Sequence, residues 1–428
     1  MDESSLRYPG WRVVFACFTM TFFGFGFGFY GHSVYLAELT MGERGNSPPL
    51  ATSIVSAATT AYYLLSAVLI MFVNDAIARF GPRLVATAGA GMLALSLVLV
   101  SHIRSSVDVF VAYLAMAPAF AALTNAAVAN ILGLWFIEKR GLALSLALTG
   151  GGVGGVVIAP LLVWLNGRFS FAGTLRVAAA VTVPILLATI LIWIDRPARG
   201  ARTAVAGSGE DVTTAPNPRP ITRRRVLATA HFWTIAAPLA LGIAVQVGFI
   251  VHQVAFLFPS LGREGAGTAV LVTAAMAVSG RLGLGLFVDR LDQRRLAALL
   301  LAAQAGALFV MLQSSTLLAV YLACAVFGFG VGNMIVLPAL IVQREYPAAV
   351  FGMLSALVLA VIQVTNAVGP SLLGGLRDAT GSYAPAIWVC MSLELAAAAM
   401  VLLRVGPAKA VAEARRRDRR RQGTVGRS

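Results

Sequence analysis

One arginine stands alone inside an apolar run. Arg281 follows Ala275-Met276-Ala277-Val278-Ser279-Gly280 and precedes Leu282-Gly283-Leu284-Gly285, with no counter-charge on the same helix. A central arginine in a membrane helix costs roughly 2.5 to 3.5 kcal/mol on insertion scales, so a position like this one marks a role inside the bundle. A guanidinium fork grips a carboxylate through two parallel bonds, which a lysine cannot do. The plainer alternative is an arginine that snorkels towards the nearer surface or bonds a backbone carbonyl. His252, close to Gln246, Phe249 and Gln253, has the titration range to pass a proton or to share an anion with Arg281. Its alternative is a neutral ring bonded to a carbonyl near the outer surface. Tyr30 ends the aromatic and glycine stretch Phe22–Tyr30, which could line a cavity for a planar moiety and offer it a hydroxyl. Gln363 and Asn366 are three apart and share a helix face, where together they could bond a polar solute. Asn125 could do the same from the other half of the chain, although a single such side chain is often interhelical glue.

Other polar residues point to packing. Gly24, Gly28 and His32 fall on one helical face, suited to close approach of a neighbouring helix. The glycine run Gly150–Gly155 has no following lysine and also reads as close packing. Glu394 lies well inside an apolar run, where a protonated, hydrogen-bonded carboxyl is expected. No metal site is expected: the four histidines lack ligand spacing and the three cysteines form no CxxC pair. No cofactor is expected either. Only Lys139 and Lys409 are lysine, neither precedes Ser or Thr, and so no phosphate loop exists for ATP. With no HExxH or GxSxG motif, an enzyme is not expected.

The elements that must position these residues are membrane helices. The chain has 428 residues, of which 58% are hydrophobic and 12% charged, and its mean hydropathy is +0.82. A soluble chain carries about a quarter charged residues, so this composition belongs to a polytopic membrane protein. A bilayer core needs roughly 20 apolar residues per helix. Such runs recur at about 11–39, 50–76, 82–103, 107–132, 141–166 and 172–194, then at about 226–258, 267–288, 295–315, 318–342, 350–375 and 384–404. The expected architecture is all-α: a six-helix bundle over 1–195, a basic linker over 196–225, a second bundle over 226–405, and a basic tail over 406–428. The linker and tail, rich in Pro, Gly and Arg, are expected to be disordered. With both ends in the cytoplasm, 26 basic residues fall inside and 6 outside, which fixes the orientation in the cytoplasmic (inner) membrane. The net charge of +15 is then a matter of topology and anionic lipid rather than a nucleic-acid partner.

The halves echo each other. Phe72-Val73-Asn74-Asp75 leaves the second span and is followed by Arg79 and Arg83; Leu286-Phe287-Val288-Asp289 leaves the eighth and is followed by Arg290. An aspartate at that place can bond across to a neighbouring helix in one conformation only, so these five residues are candidates for a conformational gate. Gly141 to Pro160-Leu161-Leu162 likewise matches Gly352 to Pro370-Ser371-Leu372. The duplicated Asp–Arg loop, the six-plus-six layout and the central basic linker resemble the major facilitator superfamily. Arg79-Phe80-Gly81-Pro82-Arg83, Trp135-Phe136-Ile137-Glu138-Lys139-Arg140-Gly141, Gly150–Gly155 before Pro160, and Arg281 with Gly285 and Asp289 resemble its monocarboxylate and oxalate–formate branch. The sequence departs from that branch at Met71, where the family has glycine, at Ala277, where many members have an acid, and in lacking a lysine in the eleventh span.

The resemblance implies a monomeric secondary carrier for a small organic anion, a monocarboxylate, moved by alternating access with a proton or by exchange. A larger planar or weakly charged solute, such as a vitamin or aromatic acid, is the alternative cargo. A solute-sensing receptor is a third reading, but linker and tail are too short for a signalling domain.

Overall fold

The computed structural model describes residues 3, 5, 8–41, 49–194, 223–285, 291–347 and 350–403. The linker and tail expected over 196–225 and 406–428 fall almost wholly outside these, as do Asp289 and Arg290. Among the described residues there is no strand. Eleven helices are long and apolar enough to cross a membrane. One of them, Ala230–Gly285, has 56 residues and a non-helical kink at Gly262. At 1.5 Å per residue it is far too long for a single crossing of about 30 Å. Gly262 has φ +68°, a conformation that side-chain-bearing residues avoid, and the chain reverses there. The seventh and eighth spans are therefore two helices that meet at this glycine, and the crossings among the described residues number twelve, as expected.

The first half contains spans Gly10–Met41, Thr52–Phe80, Pro82–Ser101, Ser106–Gly133, Arg140–Asn166 and Phe171–Trp193. After the bent element come Gln293–Gln313, Leu317–Met334, Phe351–Thr380 and Ala384–Leu402. Local chemistry sets the ends. Ser105 and Asp108 form a capping box, Ser170 accepts from Gly173 N, and Asp292 accepts from Arg295 N. Gly381, at φ +71°, turns the chain out of the eleventh span. Large apolar side chains such as Met71 (74% exposed), Ile192 and Leu318 face outwards. In water such a belt would drive aggregation; against lipid it is the solvent-matched surface.

The repeat extends beyond the motifs. The fourth span breaks at Thr124, which is extended, and resumes as Asn125–Gly133; the tenth stops at Met334 and resumes as Leu337–Glu345. Each break leaves a nine-residue segment. Arg83, at the start of the third span, donates to the Leu191 carbonyl at the end of the sixth. Arg294, at the start of the ninth, donates to the Val401 (2.9 Å) and Leu403 (3.0 Å) carbonyls at the end of the twelfth.

Glycines let the helices of each bundle meet backbone to backbone. A Cβ on Gly150 or Gly154 would strike the Phe18 or Phe22 carbonyl of the first span, and one on Gly155 the Tyr30 ring. The glycine run is thus a packing surface, as its sequence suggested. In the second half Gly369 meets the Ala244 carbonyl, and Gly328 and Gly332 meet those of Thr273 and Ala277. Near the chain start, Glu3 accepts from Ile137 N (2.8 Å) and Lys139 N (2.7 Å). Burial pushes its carboxyl up, but the backbone donors around it outweigh that and hold it below the usual range.

Candidate functional site

The first span changes its winding at Gly26–Tyr30, a single π turn between the α segments Gly10–Phe25 and Gly31–Met41. Such turns carry one extra residue and often occur at functional sites. Here the turn carries Tyr30, which is buried with its ring against Gly155 of the fifth span. Val278, one turn before Arg281, fills the space over Gly152 of the fifth span. Arg281 is half-buried, and its Nε donates to the Gly332 carbonyl at 3.3 Å. Neither Nη has a hydrogen-bond partner, and no carboxylate pairs with it, among the described residues. The single backbone bond orients the side chain and leaves the paired edge of the fork uncommitted. A fork held in that way can take a carboxylate.

The other candidate residues are placed differently. His252 is fully buried, and both its ring nitrogens have partners. Nε2 lies 3.0 Å from the Pro370 carbonyl and 3.2 Å from Ser56 Oγ, and Nδ1 lies 3.0 Å from the Tyr383 hydroxyl. It therefore joins the seventh span to the second and eleventh instead of reaching Arg281. Gln363 and Asn366 do share a face, and they bond each other, Asn366 Nδ2 donating to Gln363 Oε1 at 3.1 Å. Asn125 is exposed, at the start of the second segment of the fourth span. Asp75 and Arg79 are exposed; Arg79 stacks over Phe80 and Arg83 holds the sixth span. Among the described candidates, Tyr30 and the helix of Arg281 thus meet the same stretch of the fifth span, at Gly155 and Gly152, while His252 is engaged elsewhere and Gln363 and Asn366 bond each other. Glu394 is fully buried near Gly242, and neither of its oxygens is bonded among the described residues, so the expected hydrogen bond is not made.

Among the described residues, the hydrogen bonds and the ion pair between the halves lie towards one end of the bundle. Ser53 N donates to Asp378 Oδ2 (2.6 Å), Thr60 Oγ1 meets Ser371 Oγ (2.6 Å), Ser56 meets His252, and Arg263 forms an ion pair with Glu38. All these residues lie near the end of the first span, the start of the second, the Gly262 bend, or the last third of the eleventh span. That is the face opposite the N-terminal start of the first span. A cleft of about 310 Å³ lies in this seam around Glu38 and Arg263, away from Arg281.

Two features were not legible as site elements. Arg294 was counted only among the basic residues of a cytoplasmic loop, yet it is 3% exposed and grips Glu345 through Nε (2.6 Å) and Nη2 (2.9 Å). Its sequence signal was its echo of Arg83. His32, read as a packing residue, is enclosed by Tyr35, Tyr62, Tyr63 and Tyr113. The signal there was the Tyr62-Tyr63 pair of the second span.

Known proteins resemble the chain over most of its length. The family model described as Major Facilitator Superfamily matches residues 14–370. Monocarboxylate transporter 13 of Rattus norvegicus is 28% identical over 340 residues, 76% of this chain and 73% of the relative. A putative anionic 4-hydroxy-benzoate permease of Thauera aromatica is 37% identical over 101 residues, 23% of this chain and 60% of the relative. The crystal structure of the nucleoside transporter NupG (D323A mutant) superposes with a TM-score of 0.73 at 11% identity, over 91% of this chain and 99% of that one. A match over residues 14–370, twelve crossings and two repeated bundles make the chain a member of the major facilitator superfamily, a multi-pass membrane transporter and not an enzyme.

Proposed function

We propose that the chain carries a small organic anion, a monocarboxylate, across the cytoplasmic membrane by alternating access, with Arg281 as the anchor for the carboxylate. The observation that carries this reading is the half-buried guanidinium whose two Nη groups have no partner among the described residues. Substrate charge would offset the cost of desolvating that arginine when the cavity closes, which is how a carrier couples occupancy to rearrangement. The closed seam on the face opposite the N-terminus supports the same reading. With the termini cytoplasmic, as the arginine bias implies, this is a state closed to the outside. Proton coupling and exchange both remain compatible with this arrangement.

The aromatic surface beside Tyr30 favours an aromatic acid as a second cargo. Phe22, Phe25 and Phe29 are half-buried, and Phe25 packs edge to face against Phe29 and Phe120. The 4-hydroxy-benzoate permease relative is in keeping with it. The test is uptake of radiolabelled L-lactate, 4-hydroxybenzoate and the neutral heterocycle nicotinamide into proteoliposomes under an imposed pH gradient. Arg281→Lys should abolish saturable uptake of the acids, by at least tenfold, while the protein stays in the membrane. Normal acid uptake by that variant, or transport of nicotinamide alone, would overturn the anion reading.

A further inference from the structure

The cleft at the seam has a chemistry of its own. It encloses about 310 Å³, at the small end of the range for ligand sites, and residues of both halves line it. Its walls are mainly apolar, with the rings of Phe169, Phe171 and Phe258 among them. Its polar groups are few. Glu38 of the first span and Arg263, just after the Gly262 bend, form the ion pair that joins the halves here. Asn166 ends the fifth span and lines the same cleft. Both atoms of its amide are shielded from water and have no hydrogen-bond partner among the described residues. An amide left in that state costs stability until something bonds it.

The two members of the ion pair are not held alike. Arg263 crosses the end of the fifth span, where a Cβ on Gly167 would stand 3.5 Å from its Cδ. Its guanidinium also lies 5.8 Å from the centre of the Phe258 ring, within reach of a cation–π contact. These contacts hold the guanidinium in the cleft even when its acidic partner leaves. Glu38 has Arg263 alone among the described residues. A carboxylate arriving from outside can therefore take the place of Glu38 on the guanidinium fork. Glu38 then turns to water through the open side of the cleft, and no charge is left buried without a partner. The reverse exchange, an amine displacing Arg263 from Glu38, would have to undo the packing on Gly167 and Phe258 as well.

We propose that this cleft is a second anion site, an entry site for a monocarboxylate with an aromatic body. The carboxylate pairs with Arg263 in place of Glu38, the Asn166 amide turns to donate to it, and the ring lies among the phenylalanines. Binding removes a bond between the halves without depriving Arg263 of a partner. Occupancy thus loosens the seam that must open before the solute can descend to Arg281. This last consequence rests on the anion-carrier reading above; the binding itself does not.

The test is equilibrium binding of radiolabelled 4-hydroxybenzoate to the full chain in nanodiscs, where both faces are accessible. The wild type should bind two molecules per chain, and Arg281→Lys should bind one. Adding Arg263→Gln to Arg281→Lys should weaken the remaining binding at least tenfold. Adding Glu38→Gln instead should tighten it at least threefold, because the competing carboxylate is gone, and a damaged fold cannot produce a gain in affinity. Adding Asn166→Leu should weaken it at least threefold with the thermal midpoint unchanged or raised, since the amide it removes is unbonded. The proposal is overturned if Arg281→Lys shows no saturable binding, if that binding ignores Arg263, Glu38 and Asn166, or if neutral nicotinamide binds equally well. Weaker binding in the Glu38→Gln variant would identify a site for cations and overturn it too. If the acid binds in the cleft and the wild type does not transport it, the carrier reading fails by itself and the site stands.

Discussion

Arginine plays two opposite roles in this molecule, and the difference lies in its partners. Arg294 is saturated: besides Glu345 and the two carbonyls at the end of the twelfth span, it reaches Thr234 Oγ1 at 3.2 Å. It thereby ties the ninth span, the segment after the tenth, the seventh and the twelfth into one body. Removing one member of a buried pair leaves an uncompensated charge and costs about 3–5 kcal/mol. Arg294→Gln should therefore lower the thermal midpoint in detergent by several degrees, with Arg281→Lys, whose side chain has one weak bond, changing it little. Equal losses in the two variants would contradict this division between structural and functional arginine. The sequence could show that Arg281 has no partner on its own helix, because a partner there would be visible at helical spacing. It could not show that Arg294 is buried, since the acid it grips lies 51 residues away. His32 was hidden for the same reason, its enclosing tyrosines coming from three different spans.

At the level of elements, the glycines decide how near two helices come, and that distance decides where Tyr30 points. A side chain on Gly154 would meet the Phe22 carbonyl, a backbone atom that cannot rotate away. Gly154→Ala should push the first span off the fifth, at about 1–3 kcal/mol for the overpacking, and should carry Tyr30 away from Gly155. Uptake should fall more than stability does, whereas Gly91→Ala on the third span, which meets nothing within 4 Å, should leave both unchanged. A neutral Gly154→Ala would show that the two helices can part without consequence. Most of the elements were legible: apolar runs of about 20 residues fix span number, and glycine and proline inside them do not interrupt the hydrogen bonding that lipid demands. The π turn at Gly26–Tyr30 and the breaks at Thr124 and Ile335 were not, because they leave the apolar pattern of their spans unchanged. Nor was it legible that Gly262 alone separates the seventh span from the eighth.

At the scale of the whole molecule, the two halves meet through apolar packing, such as Val278 over Gly152 and Val163 over Gly267, and through a set of small polar contacts at one end that can part and rejoin. No single cross-half bond is worth much: about 0.5–1.5 kcal/mol is usual for a neutral hydrogen bond such as Thr60–Ser371, and about 1.5–3 kcal/mol for one to a charged group such as the Asp378 carboxylate. Their sum is of the size that a bound solute could tip, since moving a two-state equilibrium from one side to the other takes about 5.5 kcal/mol of differential binding. The pair Thr60 and Ser371 gives direct access to this equilibrium, because their oxygens meet at 2.6 Å across the seam. Thr60→Cys with Ser371→Cys should form a disulfide under oxidation, and the three native cysteines are buried and will not compete. Closing that bond should stop transport by at least tenfold, and reduction should restore it. The side chains are small and lie at the closed face, away from Arg281, so loss of transport would reflect a blocked movement and not a damaged site. Transport that continues with the disulfide intact would mean that the outer seam never opens, and alternating access about this axis would have to be abandoned.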